Sequence, residues 1–177
     1  MLTIDPGKSL LLIIDFQARL MPAIHEGEAA VCNARRLLDA AGLMGIPSLF
    51  TEQNPKGLGR TVEDLPVPRD RLVEKQFFDA CHEEGFLDRV PAEADVVVAG
   101  CEAHVCVQQT VLGLMASSRS TWVVRDAIGS RHLESKEAAL RRMERHGAEI
   151  VTTEMVVFEW LQTAQHPQFR QAAALIK

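Results

Sequence analysis

The sequence has no block of like charge. Its 19 Lys and Arg against 24 Asp and Glu give a formal net charge of −5, with the two signs interspersed. That distribution argues against nucleic acid or an anionic membrane surface as the main partner. No apolar run approaches the length of a bilayer span, and Leu10 to Ile14 is far too short for one. The start, Met1-Leu2-Thr3-Ile4-Asp5-Pro6, has no basic region, and Pro6-Gly7 interrupts it before the first apolar run, so no signal peptide is read there. A cytoplasmic protein with reduced thiols is expected. Internal repeats, low-complexity tracts and long linkers are missing. The fingerprint G-x-G-x-x-G does not follow the first strand, where Asp15-Phe16-Gln17 stands, and Gly57-x-Gly59 is too sparse to cradle a phosphate. No nicotinamide cofactor is expected. The four cysteines, Cys32, Cys81, Cys101 and Cys106, include no C-x-x-C pair, and His25, His132, His146 and His166 show no metal-ligand spacing.

What is present is the composition of an ordinary globular protein, 47% hydrophobic and 24% charged. The length suits one domain over residues 1–177. Apolar strands alternate with helical patterns. Ser9 to Asp15 is a continuous apolar run ending in an acid. Glu28 to Leu43 has helical spacing, and Gly45-Ile46-Pro47 ends it. Ser48 to Thr51 and Arg71 to Lys75 read as short strands, and Ala94 to Gly100 as a buried one. Val105 to Ser118 reads as a helix and Ser120 to Arg125 as a strand, with Asp126 to Ser130 as a turn. Glu134 to Arg145 is amphipathic, Glu149 to Thr152 is a last strand, and Thr153 to Thr163 and Pro167 to Ile176 look helical. The alternation implies a three-layer α/β/α sandwich, Rossmann-like, with a central parallel sheet of about six strands.

Ligands of such sheets sit beyond the carboxyl ends of the strands, which selects Asp15, Lys75 and Cys106. Cys106 follows a buried strand at the start of a helix, where the positive end of the helix dipole tends to lower a thiol's pKa. The bland alternative is a small core residue. Asp15 ends an aliphatic strand and needs a partner if ionised, or else it caps a turn. Lys75 stands beside Phe77 and Phe78, where desolvation would direct its charge at a neighbouring thiolate and acid, or it pairs with Glu74 at the surface. Together they form a coherent nucleophilic site. Asp15 accepts the thiol proton, Lys75 balances charge, Cys106 attacks an electrophilic carbon, and backbone N–H groups of the strand-to-helix turn hold the oxyanion.

These residues resemble a known family. Asp15-Phe16-Gln17 after an aliphatic strand, Lys75 in Glu-Lys-Gln-Phe-Phe, and Gly100-Cys101-Glu102-Ala103-His104-Val105-Cys106-Val107 together are similar to the isochorismatase-like cysteine hydrolases. Thr51 to Gly59 and His166-Pro167-Gln168-Phe169 look like the subgroup of isochorismatase domain-containing proteins. The resemblance implies Asp15 as general base, Lys75 as electrostatic partner and Cys106 as covalent nucleophile. It also implies a non-proline cis peptide, here between Cys101 and Glu102, that turns the N–H of Glu102 toward the same oxyanion as the N–H of Cys106. A homo-oligomer, dimer or larger, is a further implication. Two departures shape the substrate. Where nicotinamidases carry metal ligands this chain reads Glu52-Gln53-Asn54, with no His between His25 and His82, so no metal is expected and nicotinamide is disfavoured. True isochorismatases lack a thiol where Cys106 stands, which disfavours vinyl-ether hydrolysis.

The function expected is therefore hydrolysis of a small amide, urea, carbamate or similar C–N bond, without a cofactor. Phe16, Gln17, Phe78 and His104 are the candidates for the substrate pocket, with core packing as the alternative for the two Phe. Glu52, Gln53 and Asn54 either face substrate or cap their turn. Asp126 caps or braces. Two rivals stand beside this reading: a scaffold or binding protein of the same fold with little turnover, and a thiol-redox protein using Cys101 and Cys106.

Overall fold

Apolar residues on both faces of successive strands leave the chain one economical arrangement, a sheet covered on both sides. The computed structural model, described over residues 2–177, has that arrangement. In chain order it comprises β1 (Ser9–Ile14), α1 (Gly27–Met44), β2 (Ser48–Gln53), the one-turn α2 (Pro55–Leu58), β3 (Leu72–Lys75), β4 (Asp95–Cys101), α3 (Gln108–Ala116), β5 (Ser120–Gly129), α4 (Leu133–Arg145), β6 (Glu149–Val151), α5 (Thr153–Leu161) and α6 (Phe169–Leu175). The six strands form one parallel sheet in the order β3-β2-β1-β4-β5-β6.

The alternation of side chains along a strand divides the core in two. Leu11, Ile13, Val97 and Ala99 pack on one side, against Ala34 and Leu37 of α1, Val156 and Trp160 of α5, and Ala172 of α6. Leu10, Leu12, Ile14, Val96 and Val98 pack on the other, against Val111 and Leu114 of α3 and Leu140 and Met143 of α4. Each large aliphatic side chain taken out of water contributes ~1.5–3 kcal/mol, so the apolar runs of β1 and β4 are the main support of the sheet. Among the described residues no helix is long and apolar enough to cross a membrane.

Strand order reverses between β1 and β4, and in such sheets ligands bind at that point, beyond the carboxyl ends. Ile14 pairs with Gly100 at the end of that ladder. A Cβ added to Gly100 would lie 2.6 Å from both the Cβ and the carbonyl oxygen of Ile14. Glycine at this position lets the ends of β1 and β4 close on each other.

The structure departs from the sequence pattern in two places. β5 does not turn at Asp126; it continues to Gly129, after a register irregularity opposite Val98 and Gly100. Pairing with Cys101 and Gly100 of β4 compensates for the weak strand propensity of Asp126 and Gly129. Asp126 braces from within that strand, its carboxylate accepting from the N–H and hydroxyl of Thr153 at the start of α5. The helix read from Val105 begins earlier, as a π-helical turn over Ala103–Val107 that feeds α3.

Gly100→Ala is expected to lower stability by ~1–3 kcal/mol, since the obstacle is strand backbone that cannot repack. Urea unfolding of the variant would measure this, and an unchanged midpoint would show that β1 and β4 can part without cost.

Candidate active site

Four strand ends supply the site. β1 stops at Ile14 because Asp15 turns the backbone into the left-handed region, with φ 51°, a conformation that Asp tolerates better than most L residues. Asp15 is 1% exposed. Lys75 ends β3 two strands away, with its side chain wholly buried. Its ammonium nitrogen lies 2.7 Å from Asp15 Oδ2, an ion pair made off the ideal hydrogen-bond angle. The other Asp15 oxygen, Oδ1, accepts from the Thr51 hydroxyl at 2.6 Å. Lys75 Nζ also donates to Gln53 Oε1 at 2.7 Å, and the Phe77 and Phe78 carbonyls approach it at 3.4 and 3.5 Å.

Cys106, 6% exposed, lies in the π-helical turn. Asp15 and Lys75 both lie close enough to act on its charge. The structure thus brings Asp15, Lys75 and Cys106 near one another. It reverses the direction read for the thiol. Burial pushes the Cys106 thiol up to about 12, the Asp15 carboxylate adds to the rise, and the Lys75 ammonium only partly opposes it. The π-helical start gives too small an offset against desolvation and an adjacent anion. At neutral pH the sulfur keeps its proton. Cys101, 0% exposed, is raised further by burial. All four cysteines are free. With neither Cys101 nor Cys106 resting as a thiolate, a redox role loses its reactive species.

The remaining candidates divide. Phe16 is fully buried in the core half that faces α1, away from Cys106, and so has no surface to offer a substrate. Gln17 is equally buried. Its amide is taken up by the backbone of Gln53 and Gly59, which makes it a brace and not a pocket wall. Phe78 is at the site by its backbone, and its ring is half exposed. His104 is half-buried, and its Nδ1 contacts the Ser130 hydroxyl at 3.0 Å. Glu102 begins the turn after a cis Cys101–Glu102 peptide, and its carboxylate accepts from the backbone and guanidinium of Arg131. Glu52 is saturated by Arg60 and Thr61 and lines, with Val62, Leu65 and Leu72, a cavity of about 730 Å³ apart from the ion pair. Thr51, not singled out from the sequence, and Gln53, read there as facing substrate or capping its turn, both contact the ion pair. The alternation along β2, which points Thr51 and Gln53 to one side and Glu52 to the other, carried that information. Among the described residues no group of three or more His, Cys, Asp or Glu side chains is placed to hold a metal ion.

The profile described as Isochorismatase domain matches residues 9–155. Isochorismatase domain-containing protein 1 of Danio rerio is 35% identical over 177 residues, covering 98% of this chain and 62% of that protein; the chain thus spans less than two thirds of that relative. Isochorismatase domain-containing protein 2A of Mus musculus is 35% identical over 175 residues, covering 97% of this chain and 84% of that protein. A structure described as MAR1 ribonuclease from Caenorhabditis elegans superposes with a TM-score of 0.91 at 32% identity, covering 98% of this chain and 92% of that one.

The thiol has a consequence for stability. The unfolded thiol loses its proton near 9, whereas the folded one keeps it to about 12. The stability this contributes is complete below pH 9 and is lost as pH rises from 9 toward 12, at most ~1.4 kcal/mol per pH unit for each such thiol. Urea midpoints of the wild type are expected to fall between about pH 8.5 and about pH 10.5, and to fall less in Cys106→Ala. Equal slopes in the two proteins would mean that the thiol titrates normally.

Proposed function

The chain belongs to the isochorismatase family, and on that premise we propose that it is a cysteine-dependent hydrolase of a small amide, urea, carbamate or similar C–N substrate. The observation that carries this reading is the buried Asp15–Lys75 ion pair, 2.7 Å long, set beside the buried Cys106.

Asp15 is the general base and Cys106 the nucleophile. As the sulfur approaches the substrate carbonyl carbon, the S–H proton passes to Asp15 and an S–C bond forms. The carbonyl oxygen becomes an oxyanion, held by the backbone N–H groups of Glu102 and Cys106. The C–N bond then breaks, and the departing nitrogen takes the proton from Asp15. A water molecule gives a proton to the freed carboxylate and attacks the thioester or thiocarbamate. Collapse of that adduct breaks the S–C bond, and the thiolate recovers its proton from Asp15. Lys75 stays charged throughout. Its ammonium offsets the negative charge shared between Asp15 and the sulfur, which a buried carboxylate could not bear alone. Thr51 fixes the carboxylate oxygen that does not face Lys75. Phe78, with its backbone at Lys75 and its ring half exposed, lines the mouth, and His104 flanks it. No step calls for a cofactor.

Hydrolysis of RNA is the weaker alternative. A chain of net charge −5 supplies no general attraction for a phosphate backbone. A catalytically weak scaffold would have no use for a charged pair held at such desolvation cost. Assembly of identical copies is also proposed, supported by the partly exposed Met155 and Phe158 of α5.

A screen of small amides, ureas and carbamates tests the reading. Wild type is expected to turn over at least one of them and to show an acyl or carbamoyl mass increment on Cys106 when quenched with acid. Asp15→Asn should lower kcat by ~10²–10⁴. Cys106→Ala should abolish both turnover and adduct, and turnover that survives this substitution would rule out the covalent route.

A further inference from the structure

We propose that Gln53 is a positioning residue: a neutral acceptor that fixes the direction of the Lys75 ammonium while leaving its charge free to act on the sulfur. This assignment rests on the reading of Asp15, Lys75 and Cys106 as the reacting set.

A lysine ammonium has three protons and no acceptor, and Lys75 is wholly buried. Each proton therefore needs an acceptor within the protein. Asp15 Oδ2 takes one side of the ammonium at 2.7 Å and Gln53 Oε1 another at 2.7 Å. Two short contacts at fixed points leave the third proton one remaining direction. That direction faces the Phe77 and Phe78 carbonyls, which accept at 3.4 and 3.5 Å, with the sulfur of Cys106 within reach of the ammonium's charge. Without the Gln53 oxygen, the ammonium can rotate toward those carbonyls and away from the sulfur.

The Gln53 amide cannot be turned over. Its Nε2 donates to the Gln76 carbonyl at 2.8 Å, so the oxygen is the end that meets the ammonium. Its backbone is held from the other side. Gln53 N–H donates to Gln17 Oε1 at 2.8 Å, and Gln17 Nε2 donates to the carbonyls of Gln53 at 3.1 Å and Gly59 at 2.6 Å. The backbone of β1 has already left the sheet at Asp15, and the Gln17 side chain supplies one more rung of the β1–β2 ladder in its place. Gln53 in turn faces Lys75 directly across the β2–β3 register.

A purely structural tie between β2 and β3 is already provided by the backbone, where Asn54 N–H donates to the Lys75 carbonyl at 2.9 Å. What the side chain adds is an acceptor without charge. A hydrocarbon there would strand an ammonium proton. A carboxylate would draw the ammonium into a second ion pair and place another negative charge near the thiol.

Gln53→Met and Gln53→Glu in the full chain separate these roles. The readout is the rate of Cys106 alkylation by iodoacetamide across alkaline pH, followed by peptide mass spectrometry, with the exposed Cys32 as internal reference and urea unfolding as the check on folding. Both variants are expected to label Cys106 ~tenfold more slowly relative to Cys32, corresponding to a rise of about one pKa unit. A folded variant that labels within about twofold of wild type would overturn the assignment. If Gln53→Met does not fold, Gln53→Glu, of equal length, decides alone. Labelling of wild type that is indifferent to Asp15→Asn and Lys75→Met would instead remove the reacting set itself, and the assignment with it.

Discussion

A carboxylate and an ammonium, each about 1% exposed or less, meet at the carboxyl edge of a parallel sheet, and the neighbourhood is arranged to make that burial tolerable. Removing two charges from water costs several kcal/mol per ion, and their attraction repays it only when the remaining hydrogen-bonding capacity is met. Thr51 meets one carboxylate oxygen and Gln53 one ammonium proton. Cys106 stands against both charges.

Asp15, Lys75 and Cys106 are far apart in the chain, and the topology joins them. Strand order reverses between β1 and β4, and β3 lies beyond β2 on the β1 side. Side chains at strand ends converge in such a crevice without any local sequence relation. Closeness between β1 and β4 is available because Gly100 presents no Cβ to Ile14. A glycine in a strand is thereby linked to the distance between Asp15 and Cys106.

Much of this was legible in the sequence, for identifiable reasons. Uninterrupted aliphatic runs such as SLLLII mark strands buried on both faces, and acids or amines at their ends mark the functional edge. The continuation of β5 beyond Arg125 was not legible, because strand pairing with Gly100 and Cys101 overrides the turn chemistry of Asp126 to Ser130. Nor was the rise in the Cys106 pKa. It depends on how much solvent the fold removes and on an anion 91 positions away in the chain, whereas the helix-terminus argument uses only neighbours. Phe16 and Gln17 follow Asp15 directly, yet one faces the α1 side of the core and the other reaches back to Gln53. Adjacency to a reactive residue said nothing about direction once the backbone had turned at φ 51°.

The protonated resting state of the thiol bears on the lifetime of the protein. Oxidants and stray electrophiles consume thiolates far faster than thiols. A buried thiol that keeps its hydrogen is shielded from them, and irreversible damage should accumulate first at the more accessible Cys32.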